Sequence, residues 1–348
     1  MRVAVICAGR GSYGRTELGS LRKLAGEDAR AAAVLDLADD LRVEAGRTPL
    51  SELDAAERFS AVHLAGENAA GLIAAATFMD VATLSEQVDV VAVAGNSMGF
   101  YTALGVSGAL DIADSFRLAD GMGAMQRNGV VGGQVIYPLV NDEWQQDPLR
   151  CAAVEQALQT VRAEGLRADW SIRLGGQSVL AGEDAAVKRL LALLPPCKLG
   201  SRDYPFQLLG HSAFHTAMME STSAQAQESF GALPFRAPRI PLLDGRGVVF
   251  SPLSAAPASL SAYTLRHQVL CAYDFTASIR VLLREFAPQA LVLPGPGESL
   301  GGALAQILIA EGWQGLHSRE DFVKRQQSAE PVLISMARQE QRALLIAR

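Results

Sequence analysis

Val88-Asp89-Val90-Val91-Ala92-Val93-Ala94-Gly95-Asn96-Ser97-Met98-Gly99 is an apolar run closed by a G-x-S-x-G pentapeptide. A buried-type strand, then the pentapeptide, then a helix is the order a nucleophile elbow requires. The glycines flank a turn too tight for side chains on either side of the serine. Ser97 would project its hydroxyl from the sheet edge, with the following backbone N–H groups pointing at an incoming carbonyl oxygen.

Outward from that turn the first 130 residues read as α/β. A strand over Val3–Cys7 leads into a Gly-rich turn, and helical periodicity follows through Leu18, Leu21 and Leu24. Ala69–Ala82 reads as a helix, another starts near Met98, and Leu110–Phe116 opens a third with acids in its first turn. At Gly132-Gly133 the character changes. Strand, helix, paired strands, helix and a further extended run at Tyr204-Pro205-Phe206 give the pattern of a ferredoxin-like unit. Beyond Ser212 helical pattern resumes, then Arg239–Leu243 and a last strand, Ala290–Leu293, which ends at Pro294-Gly295-Pro296-Gly297. The expected fold is α/β: an α/β-hydrolase-like core with a parallel sheet, over residues 1–131 and 207–348, and an inserted ferredoxin-like α+β subdomain over 132–206.

Composition narrows the function classes. The chain has 348 residues, 49% hydrophobic and 20% charged, with a formal net charge of −6. These values exclude general disorder, and no basic stripe with interleaved aromatics offers a nucleic-acid footprint. Without a signal-peptide h-region or an apolar stretch of membrane-spanning length, the expected location is cytoplasmic. Cys7, Cys151, Cys197 and Cys271 are far apart and read as reduced, buried thiols.

Two further segments carry candidate chemistry. Gly9-Arg10-Gly11-Ser12-Tyr13-Gly14 is a literal G-x-G-x-x-G after a strand, with Asp36 some way on, so a dinucleotide site and a plain tight turn are both open. Gly210-His211-Ser212-Ala213-Phe214-His215 places two of the five histidines close together. A serine nucleophile needs such a base, because a free hydroxyl is barely ionised at neutral pH.

Taken in order along the chain, these segments resemble the malonyl-CoA:acyl-carrier-protein transacylase family, including the acyltransferase domains of polyketide and fatty acid synthases. The family's G-H-S-x-G elbow resembles Gly95–Gly99, and its F-H-S-x-x-M motif resembles Phe214-His215-Thr216-Ala217-Met218-Met219. Its G-Q-G-S turn resembles Gly9–Ser12, and its late G-P-G turn matches Gly295-Pro296-Gly297. The resemblance implies acyl transfer from a CoA or carrier thioester to the phosphopantetheine thiol of an acyl carrier protein, with no bound cofactor or metal. It implies Ser97 as nucleophile and His215 as base. The backbone carbonyl of Gln268 would orient His215, and the backbone N–H groups of Arg10 and Met98 would form the oxyanion hole. It also turns the first glycine loop from a dinucleotide site into part of an acyl site, and leaves His211 a bystander.

The chain departs from the family at three places, two of them beside the nucleophile: Asn96 replaces the histidine before it, and Phe100 the acid after the second glycine. Malonyl-transferring members hold the substrate carboxylate with an arginine that falls here on Met122, or on Gly121 with a one-residue gap. Its loss makes malonyl specificity doubtful unless another cation such as Arg10, Arg117 or Arg127 reaches in. Asn96, Met122 and Phe214 are the expected pocket residues, Met122 favouring an uncharged acyl group and Phe214 an unbranched one. The alternatives are an editing acyl-carrier hydrolase with the same dyad, a non-catalytic docking protein and, more remotely, a nicotinamide oxidoreductase.

Overall fold

The computed structural model describes residues 1–346. Its larger sheet runs, in spatial order, Val249–Phe250, Leu242–Leu243, Asp89–Gly95, Arg2–Cys7, Ala290–Leu293, Leu333–Ser335. All neighbours pair parallel except the first two. Helices cover both faces, which is why Val3–Cys7 is apolar at every position and fully buried rather than alternating. The central register places Cys7 opposite Gly95. The loops that leave these two strands, residues 8–12 and 96–99, therefore meet at the carboxyl edge of the sheet, where open α/β sheets bind their ligands.

Ala290–Leu293 is not the last strand: Leu333–Ser335 pairs parallel outside it. Three residues at an edge carry too little pattern to stand out among the charged helices around them.

A second sheet runs Tyr273–Asp274, Ala168–Leu174, Gln177–Gly182, Gly133–Pro138, Phe206–Leu208. Asp147 caps the helix Pro148–Ala163 by accepting from the N–H groups of Leu149 and Arg150, with Pro148 in the first turn where no amide partner is needed. This helix and Asp184–Leu193 supply the α elements. Two strands of this sheet extend outside 132–206. Phe206–Leu208 runs past that boundary, and Tyr273–Asp274 comes from far along the chain to pair parallel with Ile172 and Arg173.

The helix Ile112–Ala124 lies beside Gly66–Ala82, which is buried along nearly its whole length. Beneath the pair, Asp120 holds Arg42 at 2.5 Å and Arg47 at 2.9 Å, with Arg42 and Asp120 0% and 1% exposed. Arg42 also donates to Asn68 Oδ1 and the carbonyls of Thr48 and Glu67. A buried charge persists only when paired and hydrogen-bonded, and this one is both.

Other sequence expectations change. Asp36 lies exposed on the helix Ala29–Glu44, which is the plain reading of that residue. Of the cysteines only Cys7 is buried; Cys151 and Cys197 are half-buried and Cys271 is exposed.

Candidate active site

Ser97 stands at φ 55°, in the left-handed region that costs a side-chain-bearing residue roughly 1–2 kcal/mol. The turn holds it there because the chain crosses itself: a Cβ on Gly99 would stand 2.7 Å from the Ala8 carbonyl oxygen and nearer still to that of Cys7. The Asn96 amide donates to the Cys7 carbonyl at 3.0 Å and ties the elbow to the first strand. Phe100, fully buried, packs edge-on against Tyr263 at 5.0 Å, so its place is filled by core contact. His215 shares the same unusual backbone region, at φ 60°. Strained residues of this kind persist where surrounding structure over-determines them.

These two residues meet. Ser97 Oγ lies 2.7 Å from His215 Nε2, and His215 Nδ1 lies 2.6 Å from the Gln268 carbonyl oxygen. A carbonyl can only accept, so Nδ1 carries the proton. In the neutral ring Nε2 is then the acceptor, and the Ser97 hydroxyl donates to it. Burial lowers the His215 pKa to about 4, with the Gln268 bond opposing the shift, so the ring is neutral at pH 7. The Gln268 side chain closes the loop by donating to the Ser97 carbonyl at 3.0 Å. Tyr273, whose hydroxyl donates to the Gly95 carbonyl at 2.5 Å, packs its ring 5.5 Å from the imidazole.

The pair opens on a cavity of about 450 Å³ lying between the two sheets. Arg10, Asn96, Met98, Met122, Phe214 and Gln268 all line it, whereas Arg117 and Arg127, paired with Asp114 and Glu67, do not. Gly121 does not reach the cavity; a Cβ there would run into the Phe230 ring. Asn96 Oδ1 and Gln268 Oε1 are buried acceptors without a donor.

Sequence reasoning missed a polar relay on the opposite wall. His211 Nδ1–H donates to Gln134 Oε1 at 2.9 Å, the Gln134 amide donates to Ser171 at 2.6 Å, and Ser171 donates to the Phe214 carbonyl at 2.8 Å. His211, read as a bystander, lines the cavity and is held neutral, its pKa lowered to about 3 by burial and then by the charge of Arg10. Its spacing from His215 was a visible signal; Gln134 and Ser171, on strands of the second sheet, gave none. Among the described residues no group of three or more His, Cys, Asp or Glu could hold a metal, and no helix is long and apolar enough to cross a membrane.

No family model matches the chain. Over 216 residues, 62% of its length, it is 24% identical to the malonyl CoA-acyl carrier protein transacylase of Haemophilus influenzae, spanning 64% of that relative. The malonyl-CoA:acyl carrier protein transacylase of Xanthomonas oryzae superposes with a TM-score of 0.75 at 20% identity, covering 99% of this chain and 98% of that one. A malonyl-transacylase solved in complex with its type II polyketide synthase acyl-carrier protein gives 0.75 at 18% identity, with 99% of both chains covered.

Proposed function

We propose that this chain, a member of the malonyl-CoA:acyl-carrier-protein transacylase fold family, is an acyltransferase that works through an acyl-Ser97 intermediate. The observation that carries the reading is the Ser97–His215–Gln268 arrangement, in which geometry assigns the tautomer a general base needs. Ser97 Oγ attacks the thioester carbonyl while His215 Nε2 takes its proton. The negative charge on the carbonyl oxygen is met by the backbone N–H groups of Arg10 and Met98. Collapse expels the thiolate, which recovers the proton from His215, and leaves the acyl ester on Ser97. The phosphopantetheine thiol of an acyl carrier protein then gives its proton to His215 and attacks the ester; the Ser97 Oγ–acyl bond breaks, Ser97 Oγ recovers the proton from His215, and the acyl group leaves as the new thioester. Every proton is accounted for by one imidazole, and no aspartate is required because the Gln268 carbonyl already fixes the ring.

The test is intact-protein mass after brief incubation with malonyl-, acetyl-, butyryl- and longer acyl-CoAs, followed by addition of a holo acyl carrier protein. The expected result is a gain of one acyl group, absent in Ser97→Ala, and its passage to the carrier. Release to water faster than to the carrier would turn the reading into an editing hydrolase. An absence of loading from every donor would leave a docking protein.

A further inference from the structure

A second cavity, of about 790 Å³, is lined by Asp80, Arg342 and residues 295–298 among others. Ser299 and Leu300, the next residues along, line the acyl cavity. The turn that starts at Gly295 is therefore a partition between two spaces, and on its outer side no packed core backs it.

Side chains hold it instead. Buried Gly295 donates its N–H to Asp80 Oδ2 at 2.6 Å, and its carbonyl accepts from the Thr77 hydroxyl at 2.7 Å. Both side chains come from the helix Gly66–Ala82. Asp80 is 4% exposed and is paired with Arg342, which lies 262 residues further along in the helix Gln339–Arg342. Arg342 is fixed in turn by donating to Thr83 Oγ1 at 2.8 Å and to the Met336 carbonyl at 3.4 Å. A buried carboxylate stays charged only with a partner of this kind.

On its inner side the turn has no slack. A Cβ on Gly297 would stand 2.7 Å from the Ser12 carbonyl oxygen, and a Cβ on Gly9 would stand 2.5 Å from that of Asn96. Ser12 Oγ donates to the Gly9 carbonyl at 3.0 Å and ties the two contacts into one short loop. Residues 9–12 are thus gripped between the nucleophile elbow and the turn, backbone against backbone, with Arg10 in the grip. We infer that Arg342 and Asp80 are positioning residues for acyl transfer, which act through Gly295 and Ser12 to fix the Arg10 N–H where negative charge develops on the thioester oxygen. This rests on the acyl-transfer reading above, which assigns that N–H to the oxyanion. Without Arg342 the buried Asp80 loses its counter-ion and its grip on Gly295, and the turn is free to move into the space behind it. The effect falls on the transition state rather than on substrate binding, because the oxyanion exists only there.

The experiment measures Ser97 loading against the concentration of malonyl-, acetyl- and butyryl-CoA in wild type, Arg342→Ala, Arg342→Lys and Thr77→Val, well below each melting temperature. Arg342→Ala is expected to lower the maximal rate on the order of tenfold to a hundredfold, a part of what one oxyanion donor supplies. The half-saturating concentration and the pH profile should stay as in wild type. Arg342→Lys should recover part of the rate, and Thr77→Val, which keeps the side-chain shape and removes one bond to the turn, should show a smaller loss of the same kind. These two carry the test if Arg342→Ala does not fold. Hydrogen exchange read by mass needs no acyl donor, and residues 8–14 should exchange faster in the Arg342 variants. A lowered melting temperature with a wild-type maximal rate would overturn the assignment, as would a loss confined to half-saturation or unchanged exchange in residues 8–14. Raised exchange in a protein whose wild type loads no donor would retain the clamp on the loop and remove acyl transfer.

Discussion

Replacing Gly99 by alanine puts a methyl group where the Cys7 and Ala8 carbonyl oxygens already stand. The Ala8 oxygen would lie 2.7 Å away and the Cys7 oxygen closer, whereas real Cβ atoms essentially never come within 3.0 Å of such a neighbour. Both oxygens are backbone, one at the end of a fully buried strand and the other at the start of the Arg10 loop, so no side chain can swing aside. The turn must open by about 1 Å, and overpacking of that kind costs roughly 1–3 kcal/mol. The same movement separates Ser97 from His215 and from the Arg10 amide, and a misplacement of about 1 Å costs on the order of a hundredfold in rate. Urea unfolding measures the first effect and quenched acyl loading followed by mass the second. Gly26→Ala is the control: it lies exposed in the helix Ser20–Glu27 with nothing within 4 Å of the added carbon. It should stabilise by about 0.5–1 kcal/mol, since alanine is the better helix former. A Gly99→Ala protein as stable as wild type and loading at full rate would refute the crossing of the elbow over the first strand as the source of Ser97's geometry.

Three other outcomes follow from the buried charges and histidines. Asp120→Asn strands Arg42 without its anion and should cost about 3–5 kcal/mol in the same unfolding assay; a loss below 1 kcal/mol would show that Asn68 and the carbonyls suffice. Because His215 is neutral down to about pH 4, loading should be level from pH 8 to pH 5 and fall only near pH 4; half-maximal loading near pH 6.5 would contradict the desolvated base. His211 and His215 are both lowered from the ordinary value of 6.5, to about 3 and about 4. Below pH 6.5 the unfolded chain therefore takes up protons that the folded one refuses, and stability full above 6.5 is lost as pH falls toward those values. The slope should approach about 1.4 kcal/mol per pH unit for each histidine, and His211→Gln should remove one share of it; an unchanged slope in that variant would count against a neutral His211.

Legibility in the sequence followed the length and regularity of each signal. Val88–Gly99 announced its elbow because a continuous apolar run and two glycines are both demanded by one turn. The helix Pro148–Ala163 was equally plain, with a cap, a proline and a full-length pattern. Tyr273–Asp274 and Leu333–Ser335 were not, since strands of two or three residues depend on the partner beside them rather than on their own alternation. Among site residues, Ser97 and His215 were readable from motifs, but the direction of the Arg10 side chain was not. Its meeting with Gln126 joins positions far apart in sequence, and only the fold supplies that contact. The Arg42–Asp120 pair was invisible for the same reason, each charge on its own looking like part of a solvated helix face.

Tyr273–Asp274 has a bearing on anyone who would rebuild this protein by exchanging parts. The segment from Gly133 to Leu208 looks like a self-contained cassette that could be traded with a relative to alter acyl choice. Its sheet, however, is completed by a strand encoded sixty-odd residues later, immediately after the Gln268 carbonyl that holds His215. A chimera cut at the ends of the cassette would pair that native strand with a foreign neighbour and would shift the histidine's acceptor as it settled. Successful grafts should therefore carry residues 268–274 along with the insert, making the exchangeable unit discontinuous in the gene though continuous in space.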